Sequence, residues 1–190
     1  MPYITFRVFL NNKTKFNLLL IDSNLDHGEW TSGDWEPKQI ISAFDLGGIQ
    51  TESGGIMTGV EGHVVYEIED TAHANNTRIY IRFDNPFSGD PKTDAYFQVL
   101  TNGSWVDSSS CDHYTLESTG LFDYYNNESG QPYPPNNPPS PAPSTPSPSD
   151  CHQASGFGGF PGEVICTPST AGVHTLDRFH VICTYTLKPK

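Results

Sequence analysis

Catalysis by a serine, cysteine or threonine nucleophile needs a histidine and an acid delivered to it by the fold. The chain has neither a Gly-x-Ser-x-Gly elbow nor a recognisable cysteine-protease context. His174 and His180 flank Asp177 with Cys183 beyond, a set that could be drawn as metal ligands or as a Cys/His dyad. The run from His180 alternates, however, with His180 and Ile182 on one face and Val181 and Cys183 on the other, as in an ordinary strand with a packed cysteine. Acids gather at Asp22, Asp26, Glu29, Asp34 and Glu36, and again at Glu67, Glu69 and Asp70. Paired carboxylates run glycoside hydrolysis and grouped ones hold calcium. The first group lacks the regular D-x-D-x-D-G spacing, and the second reads as the solvated face of a strand. The glycine-rich stretches at residues 47–59 and 156–162 have no G-x-x-x-x-G-K-[ST] and no strand–turn–helix setting for phosphate. These residues point to no enzyme, no metal site and no cofactor.

Binding chemistry is better represented, by 3 Trp, 9 Tyr and 11 Phe. Several fall in turn-like sequence: Trp30 and Trp35 in HGEWTSGDWEP, Phe87 beside Asp84 in FDNPFSGDP, and Trp105 in NGSWVD. Aromatic rings among polar loop residues suit two tasks, stacking on sugar faces and sitting at a membrane–water boundary. Alternatively they cap the ends of a core. Trp30, Trp35, Asp84, Phe87 and Trp105 are therefore the candidate ligand-binding residues.

The elements that must position them read as strands. β-branched and aromatic residues alternate over residues 3–10, 16–23, 63–69, 77–83, 95–100 and 179–187. Within 77–83, Ile79 and Ile81 point one way while Arg78, Tyr80 and Arg82 point the other, as in a half-buried strand. Gly47-Gly48, Gly54-Gly55 and Asn85-Pro86 punctuate the gaps, and no segment sustains helical periodicity. The pattern predicts an all-β protein, an antiparallel β-sandwich forming a single domain over residues 1–190. Residues 131–150, QPYPPNNPPSPAPSTPSPSD, can assemble no apolar face and are expected to form a long Pro-rich surface loop inserted into that domain.

Against 10 basic side chains stand 22 acidic ones, a formal charge of −12 that repels phosphate backbones and argues against nucleic acid as a partner. No apolar run approaches the roughly 20 residues a membrane-spanning helix needs, and the first residues alternate as a strand does rather than as a leader. A soluble protein, cytoplasmic or exported without a leader, is expected. The four cysteines, Cys111, Cys151, Cys166 and Cys183, lack C-x-x-C spacing and allow three pairings, with the reduced state expected in the absence of a leader. Sequons at Asn12, Asn75, Asn102 and Asn127 are acceptors only in a secretory compartment.

Residues 27–94 carry HGEW (27–30), EPKQI (36–40), TGVEG (58–62), the strand HVVYEI (63–68) and FDNPFSGDPKTD (83–94). In order and approximate spacing these resemble the aegerolysin family and the crystal-protein and haemolysin-like sequences grouped near it. The last segment is similar to that family's Trp-Asp-x-Pro-x-Gly turn, with Phe83 and Phe87 where the family carries Trp. The resemblance implies a compact acidic β-sandwich that recognises membrane lipid from outside, sometimes with a separate pore-forming partner. At this charge the lipid head is expected to be neutral or zwitterionic, such as a sphingolipid. The competing expectation is a lectin-like protein whose Trp30, Trp35 or Trp105 stacks on a sugar.

Overall fold

The computed structural model describes residues 4–55, 58–123, 151–153, 164–166 and 180–190. The Pro-rich stretch, His174, Asp177 and the sequon at Asn127 lie outside the described residues. Among the described residues thirteen strands follow in order: β1 (Thr5–Asn12), β2 (Leu18–His27), β3 (Glu29–Trp30), β4 (Ile40–Ile41), β5 (Leu46–Glu52), β6 (Val60–Ile68), β7 (Thr77–Asn85), β8 (Lys92–Thr101), β9 (Ser104–Ser108), β10 (Tyr114–Asp123), β11 (Cys151–Gln153), β12 (Val164–Cys166) and β13 (His180–Pro189). The helical content of the described residues is two single 3-10 turns, Gly33–Trp35 and Thr71–His73.

The strands form a five-stranded sheet, β10-β13-β1-β5-β3, and a six-stranded sheet, β4-β2-β6-β7-β8-β9, with β11 and β12 as a separate pair. Every pairing is antiparallel except β1 with β13. The two large sheets face each other over one core, the all-β sandwich that the alternation predicts. All six strands read from the sequence are present, and β7 turns Ile79, Ile81 and Phe83 inward and Arg78, Tyr80, Arg82 and Asp84 outward.

The five-stranded sheet supplies Phe6, Val8 and Leu10 from β1 and Cys183, Tyr185 and Leu187 from β13 to that core. Its outer face is covered too. Arg7 and Phe9, which point away from the core on β1, are buried because the chain between β3 and β5 lies over them, bringing Trp35 and Leu46 against Phe9 and Ile182. A strand covered on both faces reads as a continuous apolar run, as FRVFL nearly does.

Three contacts fasten one sheet to the other near the end where β7 finishes and β1 begins. Phe6 stacks on Phe83 with centroids 5.5 Å apart, the Asn85 side-chain amide donates to the Thr5 carbonyl at 3.0 Å, and Thr93 and Tyr185 share a hydroxyl hydrogen bond of 2.8 Å. Here Gly59 is required by close approach: a Cβ on it would lie 2.6 Å from the Asn85 carbonyl oxygen and 2.7 Å from Pro86 Cα.

Two sequence expectations are corrected. Gly47-Gly48, read as a break, lies inside β5, where Gly47 leaves room for Ile41, whose Cδ1 would stand 2.3 Å from an added Cβ. Asp70, read as part of a solvated acidic face, is 2% exposed, because the chain leaves β6 at Ile68 and folds back over the core. Of the three described sequons, Asn12 is buried, with its amide donating to the Phe16 and Ser42 carbonyls, and Asn102 is exposed in the β8–β9 turn.

Candidate functional site

The five nominated residues do not converge on one place. Trp30, on β3, stands edge-on to Phe83 at 6.1 Å and is packed against the core, so it caps the sandwich interior. Trp35 sits in the first 3-10 turn on the outer face of the five-stranded sheet, with the Arg7 guanidinium 4.2 Å from its ring centroid and Phe9 edge-on at 6.1 Å. Arg7 in turn donates to Gln50, whose amide donates to Thr31 at 3.1 Å, so the turn carrying Trp35 is tied to β1 and β5. Trp105, on β9, lies on the outer face of the other sheet under the Arg78 guanidinium, 3.8 Å from its centroid. Each tryptophan thus has a face or an edge already taken up by the protein.

Asp84 and Phe87 do share a place. Asp84 is the penultimate residue of β7, and residues 85–89 form the tip that leads to β8. Pro86 fixes its own φ and biases Asn85 to extended backbone, while Gly89 turns the chain at φ 123°. Asn85 is buried and anchors this tip to β1, whereas Phe87 is 45% exposed. The two aromatic positions of the turn therefore differ: Phe83 is core and Phe87 faces out.

The charges around the tip shape Asp84. Glu61 lies opposite it on β6 and Lys92 opposite it on β8, with Arg82 on the same face of β7 and His27 opposite Glu61 on β2. Burial and then the Glu61 carboxylate push the Asp84 carboxyl up to about 6, against the pull of Lys92, Arg82 and His27. Glu61 is itself paired with Arg82 at 3.3 Å.

Two further clusters escaped sequence reading. Across the outer face of the six-stranded sheet, His63, Tyr80 and Tyr96 from β6, β7 and β8 stack face to face at 5.0 and 4.9 Å. Around them run the pairs His63–Asp22 at 3.1 Å, Arg78–Glu67 at 2.9 Å and Gln98–Asp107 at 2.9 Å. Rings stacked on one another present edges to solvent, so this row is not a platform for a flat ligand. The only advance signal was the outward parity of Tyr80; the pairing depends on register.

The second cluster lies at the opposite end of the sandwich. Asp70 accepts from the Tyr114 hydroxyl, from His73 Nδ1 at 2.6 Å and from the Ala72 amide at 3.1 Å. Burial works to raise the Asp70 carboxyl, but the hydrogen bonds from Tyr114 and His73 and the His73 charge outweigh it and hold the group below the usual range. His113 stacks on His73 with centroids 3.6 Å apart. Parallel rings aim their nitrogen lone pairs in parallel, which does not suit a shared ion. The neighbouring acids diverge as well, with Glu67 paired to Arg78 and Glu69 accepting from Asn17 at 2.9 Å. Among the described residues no group of three or more histidine, cysteine or acidic side chains could hold a metal ion.

Cys183, whose side chain alternation assigns to packing, is fully buried beside Ser118, with Sγ 3.5 Å from the hydroxyl oxygen, and burial pushes its thiol up to about 11. No helix among the described residues is long and apolar enough to cross a membrane. No protein-family model matches the chain, and no curated protein matches it.

Proposed function

We propose that the chain is a non-enzymatic, membrane-lipid-binding protein of cytolysin or haemolysin-like type that docks through the tip between β7 and β8. The observation that carries this reading is Phe87, the one nominated aromatic left exposed, held out on a turn whose base is fixed by Asn85 and Gly59. A tip whose base is already held in place enters a headgroup region at a lower ordering cost than a free loop would. The acids Asp84 and Glu61 behind it, and a formal charge of −12, favour a neutral or zwitterionic head over an anionic one. In residues 83–94, the segment that resembles the aegerolysin turn, Phe83 points inward and Phe87 outward, which leaves Phe87 as the ring to meet the lipid in this reading. A separate pore-forming partner belongs to the same proposal.

Co-sedimentation with vesicles of phosphatidylcholine, sphingomyelin and cholesterol tests it. Binding that Phe87→Ala weakens while the melting temperature stays within about 4 °C supports the tip; no binding to any vesicle composition at low or moderate salt overturns the reading. A glycan-binding function keeps one supporting observation: Trp105 lies on an outer sheet face whose neighbours include Gln98 and Asp107, groups able to hold sugar hydroxyls. Binding on a lipid-free glycan array that Trp105→Ala abolishes would replace the lipid reading with that one.

A further inference from the structure

The four cysteines separate into two kinds. Cys111 and Cys183 are free thiols buried in the sandwich, the first beside Thr77 and the second beside Ser118. Cys151 and Cys166 occur in β11 and β12, an antiparallel pair of strands in register Cys151↔Cys166, His152↔Ile165 and Gln153↔Val164. Residues directly opposite each other on antiparallel strands have Cα atoms about 4.5 or about 5.5 Å apart, depending on the hydrogen-bonding position. Both separations fall inside the roughly 4.4–6.8 Å that a disulfide spans. The register therefore meets the main steric condition for a cross-strand bond without displacement of the backbone.

A second consideration is independent of spacing. Among the described residues β11 and β12 hydrogen-bond as strands only with each other and over only three residue positions, although β12 also lies near β10 and β8 of the sandwich. A two-stranded ladder of that length is marginal in water on its own. A covalent link at its open end, closing a loop of about 15 residues, removes enough unfolded-chain entropy to change that balance.

We propose that Cys151 and Cys166 form an intramolecular disulfide that staples the β11–β12 pair, while Cys111 and Cys183 stay reduced inside the sandwich. With a disulfide oxidant such as oxidised glutathione, one cysteine thiolate attacks a glutathione sulfur and releases one glutathione. The second cysteine thiolate then attacks the mixed disulfide and releases the other. Two thiols are oxidised, two protons leave them, and one oxidised glutathione becomes two reduced ones. The bond places the folded chain in an oxidising compartment, so the reduced state expected from the sequence holds for Cys111 and Cys183 only.

Cleavage after glutamate and after lysine or arginine isolates each cysteine in its own peptide: residues 93–117, 129–163, 164–178 and 179–190. The full-length native chain is equilibrated with a mixture of oxidised and reduced glutathione at pH 8, unfolded in alkylating reagent, digested and read by mass spectrometry. The expected result is a reducible cross-link between 129–163 and 164–178, with 93–117 and 179–190 alkylated. The Cys151→Ser variant should then raise the alkylated cysteines per chain from two to three, with Cys166 among them. Four alkylated cysteines in the wild-type chain, or a cross-link that includes Cys111 or Cys183, would overturn the proposal.

Discussion

Replacing Asp84 by asparagine removes a charge that the folded protein holds at a cost. A carboxyl carried from 3.8 to about 6 by burial and by Glu61 would represent about 3 kcal/mol if nothing screened it. Asp84 is only part-buried at the base of the exposed tip, and solvent screening leaves about 1–2 kcal/mol. The sign follows from proton binding. Between about pH 4 and 6 the folded state keeps a proton that the unfolded chain has released, so stability is highest below that window and falls as pH rises through it. Above pH 6 the penalty is constant. Asp84→Asn has no charge to penalise, so it should match the wild-type chain near pH 4 and exceed it by about 1–2 kcal/mol at pH 7.5. For a chain of this size that is about 2–8 °C in melting temperature. Calorimetry or circular dichroism melts of both proteins at the two pH values measure it. If Asp84→Asn is no more stable than wild type at pH 7.5, or if its advantage is as large at pH 4, the reasoning is refuted, because the charged carboxylate then sits there without penalty.

Other substitutions probe the remaining parts of the molecule. Phe87→Ala should leave stability within about 1 kcal/mol, because nearly half the ring is already in water, and should weaken vesicle binding about three- to tenfold as the exposed portion of the ring is lost. Tyr114→Phe removes a donor to buried Asp70 and should cost about 1–3 kcal/mol in urea unfolding at pH 7. Because the Asp70 carboxyl is lowered in the folded state, that deficit should be full above about pH 4 and shrink as acid protonates the group. Gly59→Ala drives a methyl into the Asn85 carbonyl and Pro86 and should cost about 1–3 kcal/mol in thermal unfolding, together with lost binding at the tip it supports.

What could be read from the sequence follows from where periodicity carries information. β1, β2, β6, β7, β8 and β13 announce themselves by alternation or by apolar runs, because one or both of their faces are buried. β3 and β4, two residues each, are too short to show any period, and β5 hides behind Gly47-Gly48. β10 carries Glu117, Ser118 and Thr119 and a register shift between Ser118 and Leu121, so its alternation is broken at the middle. The tip at residues 85–89 was legible because proline and glycine fix local backbone geometry. The surroundings of the tryptophans were not: Arg7 over Trp35 and Arg78 over Trp105 arise from strand pairing between distant segments. Asp70 was misread for a related reason, since a residue just beyond a strand end is no longer governed by that strand's parity.

The position of β13 between β10 and β1 sets the order in which the protein can be made. β1 leaves the ribosome well before β13, yet the two pair in parallel along their whole length, from Thr5 with His180 to Asn12 with Leu187. Until residues 180–189 arrive, β10 has no hydrogen-bonded neighbour among the described strands and β1 presents a bare edge, with a slot one strand wide between them. Closing it joins segments far apart in sequence, residues 5–12 with 180–187, and such high contact order is typical of the slow, milliseconds-to-seconds folding class. The waiting slot accepts the same strand from any chain that offers it, so crowded nascent chains run the risk of exchanging β13 and emerging as swapped dimers.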